Sequence, residues 1–481
     1  MKSVQEKRVE FPQRGIHWEL AEIARLAYIY GFPSYQMARL RFQALKQRYA
    51  GLNILYHRRV LTTPVTGRIS NTNADMLKSS AWIDLSRGPL VVHVPDTKER
   101  YYSLALMDFF TNNFAVLGQR SNETATGNFL LAGPGWAGAV PKDMTLVRAP
   151  TNAIWALARI LVYGTDDLKA VNALQDQFTI SRSGLSPEAM PPNPHPLSIP
   201  VPTLHDNNLL MFFDILNAVL TENAPPARDN EILNHLRMID VGPSLRFDRR
   251  RFSQPQREAL QKGISAARDV IRVAVDSQVH ASRNAAAKHW RSDVLLARLR
   301  RQMNASLPRN SGRQQFGWSR PAAAVGDFGT SYLLRARCAL RGIGGLPRED
   351  AMYFIASTDA TGERLGSGRC YVLRFPQGGL PPVDAYWSLT AYQTDSSHRA
   401  WLVPNQKNRY SIGSHTPGLH YGSHGSLEIL IQHERPTVNE ENWLPAPEGE
   451  FLLTLRTYLP RREMLEGIYA IPAVQRRSGP Q

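Results

Sequence analysis

The sequence predicts an α+β protein: two antiparallel β-sandwich-type domains, a mostly helical segment between them and an N-terminal helical region. Three observations carry the prediction. Residues 71–86, running into 88–96, and residues 380–392, followed by 408–413, form two dense blocks in which apolar and polar residues alternate and turn residues close each run. Short runs rich in β-branched and aromatic residues, punctuated by Gly, Pro and Asn, fill 80–165 and return after 350. Between them, 206–304 carries apolar residues at helical spacing. The expected boundaries are 19–182 for an N-terminal β-rich domain with leading helices, 183–330 for a proline-rich connector and helical segment, and 331–475 for a C-terminal β-sandwich-type domain.

Leu20, Ile23, Ala24, Ala27 and Tyr30 recur at helical spacing. Gly31 and Pro33 interrupt that pattern, so a second helix is expected over 35–49. Leu90-Val-Val-His-Val94 reads as a strand, and 100–110 as the next, joined by a hairpin-length turn at Asp96-Thr-Lys-Glu99. Asn128-Phe-Leu-Leu-Ala132 is a third, closed by Gly133-Pro-Gly-Trp136. Residues 152–163 fit helix or strand; flanking Pro150 and Gly164, with Ile154, Trp155, Ile160 and Val162, favour strand. The prolines from Pro187 to Pro202 make 183–205 an extended surface connector. Residues 209–220 carry an apolar helical face, and 257–302 is an Ala-rich basic helix with Leu260, Ile264, Ala267 and Ile271 on its packed side. A Gly/Pro/Ser-rich loop at 305–330 precedes strands at 351–358, 369–375, 385–392, 409–412, 426–432 and 451–458. Asp359-Ala-Thr-Gly362 and His424-Gly-Ser426 read as turns. No internal repeat of fixed period is visible.

The 481 residues have room for two or three domains, and 43% hydrophobic residues suffice for real cores. No stretch reaches the roughly 18 uncharged apolar residues a membrane span needs. The charged start, Met1-Lys-Ser-Val-Gln-Glu-Lys-Arg8, is followed by no apolar run, which leads us to expect a cytoplasmic protein. Two cysteines, Cys338 and Cys370, make no disulfide scaffold; free thiols are the expectation. The net charge of +16 favours acidic partners, yet the Arg and Lys residues are dispersed and no nucleic-acid-binding signature occurs. Nucleic acid is therefore not the expected partner, a small-molecule substrate or ligand is, and a homo-oligomer stays open. Neither a phosphate-binding loop nor a Gly-x-Gly-x-x-Gly fingerprint is present, so no cofactor is expected.

One resemblance is long and ordered. It runs through Ala27-Tyr-Ile-Tyr-Gly-Phe-Pro33, Ala81-Trp-Ile-Asp-Leu-Ser-Arg-Gly-Pro89, Arg100-Tyr-Tyr-Ser103 and Arg148-Ala-Pro-Thr-Asn152. It continues through Leu380-Pro-Pro-Val-Asp-Ala-Tyr-Trp-Ser-Leu-Thr390, Asn408-Arg-Tyr-Ser-Ile412, Asn442-Trp-Leu-Pro-Ala-Pro447 and Leu455-Arg-Thr-Tyr458. In these motifs the chain resembles a two-domain bacterial family, domain of unknown function twelve-fifty-four followed by domain of unknown function twelve-fourteen. The resemblance implies two β-sandwich-type domains covered by helices, and no reaction. Members of that family usually read Asn-x-Asp-Thr-Leu-Tyr before the Ala-Trp block. Here Asn73 and Asp75 are kept, while Met76 and Lys78 stand at the Thr and Tyr positions.

Asn73, Asp75, Lys78 and Ser79 form the candidate catalytic cluster. A carboxylate and an amine close together tune each other for acid–base work, with Asp75 as base, Lys78 as acid or electrostatic stabiliser and Asn73 as orienter. The plainer reading is an Asx-turn at the entry to a strand. The candidate substrate-binding residues are Trp82, Asp384, Tyr386, Trp387, Arg409 and Tyr410. Alternation puts Asp384, Tyr386, Ser388 and Thr390 on one face and Trp387, Leu389 and Ala391 on the other. Arg409 could clamp an anion or pair with Asp384. His398, His415, His420, His424 and His433 cluster late, without metal-site spacing, so no metal is expected. Two functional expectations follow. One is an enzyme with no cofactor that uses acid–base groups for hydrolysis, isomerisation or elimination of a small, partly apolar molecule between the β-domains. The other is a non-catalytic protein binding carbohydrate or hydrophobic ligands, with Trp82, Trp136, Trp387, Trp401 and Trp443 as stacking surfaces.

Overall fold

Residues 16–46, 51–67, 71–182, 201–205, 207–272, 316–321, 324–395 and 400–477 are described by the structure, a computed structural model. The fold is α+β: two β-sandwiches and a layer of helices. In the first sandwich a five-stranded sheet runs β1 (Tyr56–His57), β2 (Met76–Asp84), β8 (Ala153–Leu161), β4 (Tyr102–Met107), β5 (Asn113–Gly118). Its partner sheet runs β7 (Thr145–Arg148), β6 (Gly127–Ala132), β3 (Leu90–Val94), β9 (Thr179–Arg182). Alternation turns Leu77, Ala81, Leu104, Leu106 and Ile160 inward against Leu90, Val92, Phe129 and Leu131, which makes one apolar core.

The second sandwich is built the same way. One sheet runs β10 (Trp318–Ser319), β11 (Ala351–Ala356), β18 (Phe451–Pro460), β13 (Val383–Thr394), with β14 (Ala400–Trp401) and β15 (Ser411–Gly413) both paired to β13. The other runs β17 (Trp443–Pro445), β16 (Leu427–Gln432), β12 (Cys370–Phe375), β19 (Gln475–Arg477). Phe354, Leu373, Trp387, Leu389, Ile429 and Leu455 fill its core.

Apart from β14, the described strands of the two sandwiches repeat one another in order and pairing. Across β2, β8, β4 and β5, Lys78 stands opposite Arg159, Arg159 opposite Ser103, and Ser103 opposite Gly118. Across β11, β18, β13 and β15, Tyr353 stands opposite Arg456, Arg456 opposite Ser388, and Ser388 opposite Gly413. Gly118 and Gly413 are constrained alike: a Cβ on either would lie 2.5 or 2.2 Å from the carbonyl oxygen of Tyr102 or Trp387, so no side chain fits. The smaller sheets match too, each with a parallel outer pair, β6 with β7 and β16 with β17. Sequence periodicity misses this duplication because pairing and inward alternation are kept while the side chains that satisfy them change.

The segment 96–99 is not a hairpin. β3 pairs with β6 and β9, whereas β4 pairs with β8 and β5, so the segment carries the chain from one sheet to the other. The expected break in the first helix is likewise absent: Ile16–Leu45 is one continuous helix with Pro33 inside it. Burial overrides the local penalty there, because Leu20, Ile23, Tyr30, Phe32 and Met37 are all packed. Gly31 leaves room for Leu216 and Phe212 of the helix Met211–Glu222.

The helices Ile16–Leu45, Met211–Glu222, Gln254–Arg272 and Tyr332–Arg341 share a core that also takes in Trp82, Met107, Trp155 and Leu157 from the outer face of the five-stranded sheet. Trp82 and Trp155, opposite each other on β2 and β8, stack at 5.3 Å. Cys338 and Cys370 are unbridged. The prolines from Pro187 to Pro200, the basic stretch beyond Arg272, the first part of the loop at 305–330 and His398 lie outside the described residues. Among the described residues no helix is long and apolar enough to cross a membrane.

Candidate functional site

The outer faces of the two larger sheets meet, and they meet through equivalent residues. Tyr101, just before β4, packs edge-on against Tyr386, its counterpart on β13, at 5.5 Å. Tyr386 stacks on Tyr458 at 4.3 Å. Met76, Ala105, Val116, Leu161, Ala351 and Leu459 close this seam with apolar contacts. Burial pushes the hydroxyls of Tyr386 and Tyr458 well above the ordinary tyrosine range, so both are neutral.

On the second sandwich Arg456 is fully buried at the edge of the seam. It donates to Thr390 Oγ1 at 3.0 Å, to the Tyr392 hydroxyl at 2.7 Å and to the Asn71 carbonyl at 2.9 Å. Asn71 accepts a further bond on its side chain and adopts a left-handed conformation (φ 58°), which Asn tolerates. Asn73 closes a local turn by accepting from the Asp75 backbone N–H at 2.6 Å, and donates to the Tyr458 hydroxyl at 3.0 Å. Asp75 accepts from the Ser411 hydroxyl. Asn73 and Asp75 thus fasten the loop before β2 onto the second sandwich.

Lys78 points to the same outer face three residues on. Its strand neighbours on both sides are cationic: Arg159 stands opposite on β8, and the Arg58 backbone N–H donates to the Lys78 carbonyl at 2.8 Å. The half-buried amine makes no hydrogen bond or ion pair among the described residues. Burial first, then Arg159, Arg456 and Arg58, bring its pKa down to about 7. Arg159 donates through Nη2 to the Gly344 carbonyl, while its Nη1 is enclosed with no partner. Ser103 Oγ, opposite Arg159, and the Tyr101 hydroxyl are also enclosed without a well-aligned bond. A strip of one amine, one guanidinium nitrogen and two hydroxyls therefore has hydrogen-bonding capacity to spare; Asp350 acts on the Tyr101 end, and among the described residues no acidic side chain acts on the Lys78 amine.

The other expected residues are distributed widely. Ser79 alternates to the inner face, where its hydroxyl meets His57 Nδ1 at 2.8 Å and Gln175 Nε2 at 3.0 Å. Burial, followed by Arg59, lowers the His57 pKa. Trp82 lies in the helical-layer core and Trp387 in the core of the second sandwich. Tyr386 is in the seam, Ser388 and Thr390 share its face, and a bulge between Val383 and Tyr386 swings Asp384 out to solvent. Asp384 pairs there with Arg461 at 2.6 Å. Arg409 donates to main-chain carbonyls at 440–443, including Trp443 at 3.1 Å, and Tyr410 to Asn408 at 3.3 Å. The described late histidines are dispersed: His415 packs on Tyr163 at 4.8 Å, His420 faces Glu441 at 3.8 Å, and His433 meets the Ala446 carbonyl at 3.0 Å. Among the described residues no group of three His, Cys, Asp or Glu side chains could hold a metal ion. Arg159 and Arg456 are absent from the sequence-based candidates. Their one signal is a lone arginine late in an otherwise uncharged strand, Ala153–Leu161 in one case and Phe451–Pro460 in the other.

Two family models match the chain. Protein of unknown function (DUF1254) matches residues 52–182 and Protein of unknown function (DUF1214) matches residues 350–462. Among solved structures the chain is similar to the VPA0106 protein from Vibrio parahaemolyticus, at 22% identity over 95% of this chain and 100% of that one, with a TM-score of 0.66. It also matches an uncharacterised protein from Burkholderia cenocepacia, at 12% identity over 96% of each chain and a TM-score of 0.44. The Vibrio likeness supports the fold alone. No curated protein matches the chain.

Proposed function

Since the chain belongs to the two-domain family in which DUF1254 is followed by DUF1214, a membership that carries a fold and no reaction, we propose from its own residues that the seam is an enzyme active site. Lys78 acts there as general base on a small, partly apolar anion. The observation that carries this reading is the Lys78 amine, which has no partner among the described residues and a pKa of about 7, placed between Arg58 and Arg159 on the neighbouring strands. A base is most effective when its pKa lies close to the working pH, because it is then both unprotonated and still basic. The same uncompensated positive charge favours a carboxylate or similar anion beside Arg159. The apolar part of the substrate would meet the seam residues. Asp75, the residue expected as base from sequence, already accepts from Ser411, and in this reading it positions the loop.

Proton abstraction can be followed before the substrate is identified. The protein would be incubated in deuterium oxide with small carboxylic acids that carry an activated C–H bond, and loss of the C–H signal followed by NMR. Exchange should rise with pH through about 7, and Lys78→Arg, which keeps the charge, should slow it about a hundredfold. Equal exchange by wild type and Lys78→Arg would remove Lys78 as the base.

A further inference from the structure

We propose that Lys78 reacts covalently with a small oxo acid, forming an imine with its carbonyl carbon while Arg159 holds its carboxylate. This deepens the reading of the seam as an acid–base site, and rests on it.

The geometry of the strip supports covalent chemistry as well as proton transfer. Lys78 and Arg159 are directly opposed in the antiparallel register, so their Cβ atoms are about 5 Å apart and both side chains leave the sheet on one face. Two like charges in that arrangement repel, and no acidic side chain is among the groups acting on the Lys78 amine. An arrangement that is unfavourable for the empty fold is suited to a ligand that brings the missing negative charge. Arg159 Nη1 has no partner among the described residues and can donate to it, and Ser103 on the next strand has a hydroxyl whose contact with Tyr101 is not well aligned. A carboxylate bound there places the adjacent carbonyl carbon within reach of the flexible lysine stem.

The step balances without an added reagent. The Lys78 nitrogen lone pair attacks the carbonyl carbon. The carbonyl oxygen takes up the two amine protons and leaves as water, and a C=N bond replaces the C=O bond. An amine crowded by other cations is suited to this role because it is unprotonated and nucleophilic near neutral pH. Once protonated, the imine draws electrons from the neighbouring C–H or C–carboxylate bond, which is how it would assist the same class of proton abstraction. The residue type that the resemblance implies at this position is tyrosine, which cannot form an imine. Tyr353, the counterpart of Lys78 in the second sandwich, is such a tyrosine. The covalent step would therefore belong to the first sandwich and not to the second.

The test is reductive trapping of the full chain at pH 7 with pyruvate and sodium cyanoborohydride, followed by peptide mapping. We expect one reduced pyruvyl group at Lys78, formed on the order of a hundredfold faster than at the average lysine. Acetone, a carbonyl compound without the carboxylate, should label Lys78 at least tenfold more slowly. Arg159→Gln also removes a charge that lowers the Lys78 pKa, so both labels should slow, but pyruvate should slow at least tenfold more and its preference over acetone should vanish. Labelling spread evenly over the lysines overturns the imine, and equal labelling by pyruvate and acetone overturns the oxo acid. Deuterium exchange that survives without trapping removes the imine and leaves the base; loss of both removes the site.

Discussion

Arg159 and Arg456 occupy the same place in two copies of one sandwich, and only one of them is closed off. Each faces a serine across the same strand pair, Ser103 for Arg159 and Ser388 for Arg456. Arg456 spends its donors on Thr390, Tyr392 and Asn71. Arg159 spends one on the Gly344 carbonyl and keeps Nη1 enclosed and unpartnered. Duplication thus supplies two equivalent cationic positions, one made structural by its loop and one whose Nη1 has no partner among the described residues.

That difference is measurable. Arg456→Met takes a donor from the part-buried Asn71 carbonyl and from the buried Tyr392 hydroxyl and Thr390 Oγ1, and should destabilise the fold by about 3–5 kcal/mol. Arg159→Met breaks one bond and relieves repulsion with Lys78, so its cost should be below about 2 kcal/mol. Urea unfolding of both variants decides it. Equal losses would mean that the two arginines carry equal structural loads.

Lys78 should be a stability liability below neutral pH. Burial and the nearby arginines lower its folded pKa to about 7, whereas an unfolded lysine titrates near 10.5. Between those values the unfolded chain holds a proton that the folded chain has released, so stability rises with pH across about 7–10. Below pH 7 both forms are charged and the folded one bears the full burial penalty. Lys78→Met should therefore stabilise the protein by about 3 kcal/mol at pH 6, allowing for partial exposure, and by little at pH 10. A gain that does not vary with pH would show that the amine titrates normally.

How far the sequence reveals these features depends on whether the feature is local. The strands around Leu90–Val94 and Ala153–Leu161 are legible because alternation and flanking turn residues act within a few positions. The sheet crossover at 96–99 is not, since a four-residue turn looks alike whether it reverses a strand or changes sheets. The uninterrupted Ile16–Leu45 helix depends on partners nearly two hundred residues away, such as Leu216, which no local pattern shows. The site is legible in half. Lys78 stands out as a departure from a resemblance, but the arginines that define its chemistry come from β8 and β18 and join it only when the strands pair. Asp384 shows the opposite limit, because alternation places it beside Tyr386 and the bulge removes it.

Asp229 ties three elements of the helical layer together and should be sensitive to the loss of its carboxylate. It is completely buried and accepts from the Tyr332 hydroxyl at 2.7 Å and the Tyr30 hydroxyl at 3.1 Å. Asp229→Ala strands both hydroxyls and should cost about 3 kcal/mol. Replacing Tyr30 and Tyr332 by Phe in the Asp229→Ala background should recover part of that loss, since the hydroxyls then need no acceptor. A double-mutant cycle by thermal unfolding tests the coupling; purely additive effects would count against it.

Gly263 is where the helix Gln254–Arg272 comes closest to the helix Ile16–Leu45. A Cβ there would lie 2.0 Å from the Ala21 carbonyl oxygen and 2.9 Å from the Ala24 Cβ. In an exposed helix Gly→Ala stabilises by about 1 kcal/mol. Here the methyl group meets main chain rather than a side chain that could turn away, so the helices must separate. The resulting gap would loosen the packing around Ile23, Leu260 and Ile264, all in the same core. Gly263→Ala should therefore destabilise by about 2–3 kcal/mol despite its better helix propensity. Gly362, at a positive-φ turn with open space around its Cβ position, provides a control, because Gly362→Ala should lose only the backbone strain of about 1 kcal/mol. If Gly263→Ala proved as mild as Gly362→Ala, the close crossing of the two helices would not be part of the folded protein.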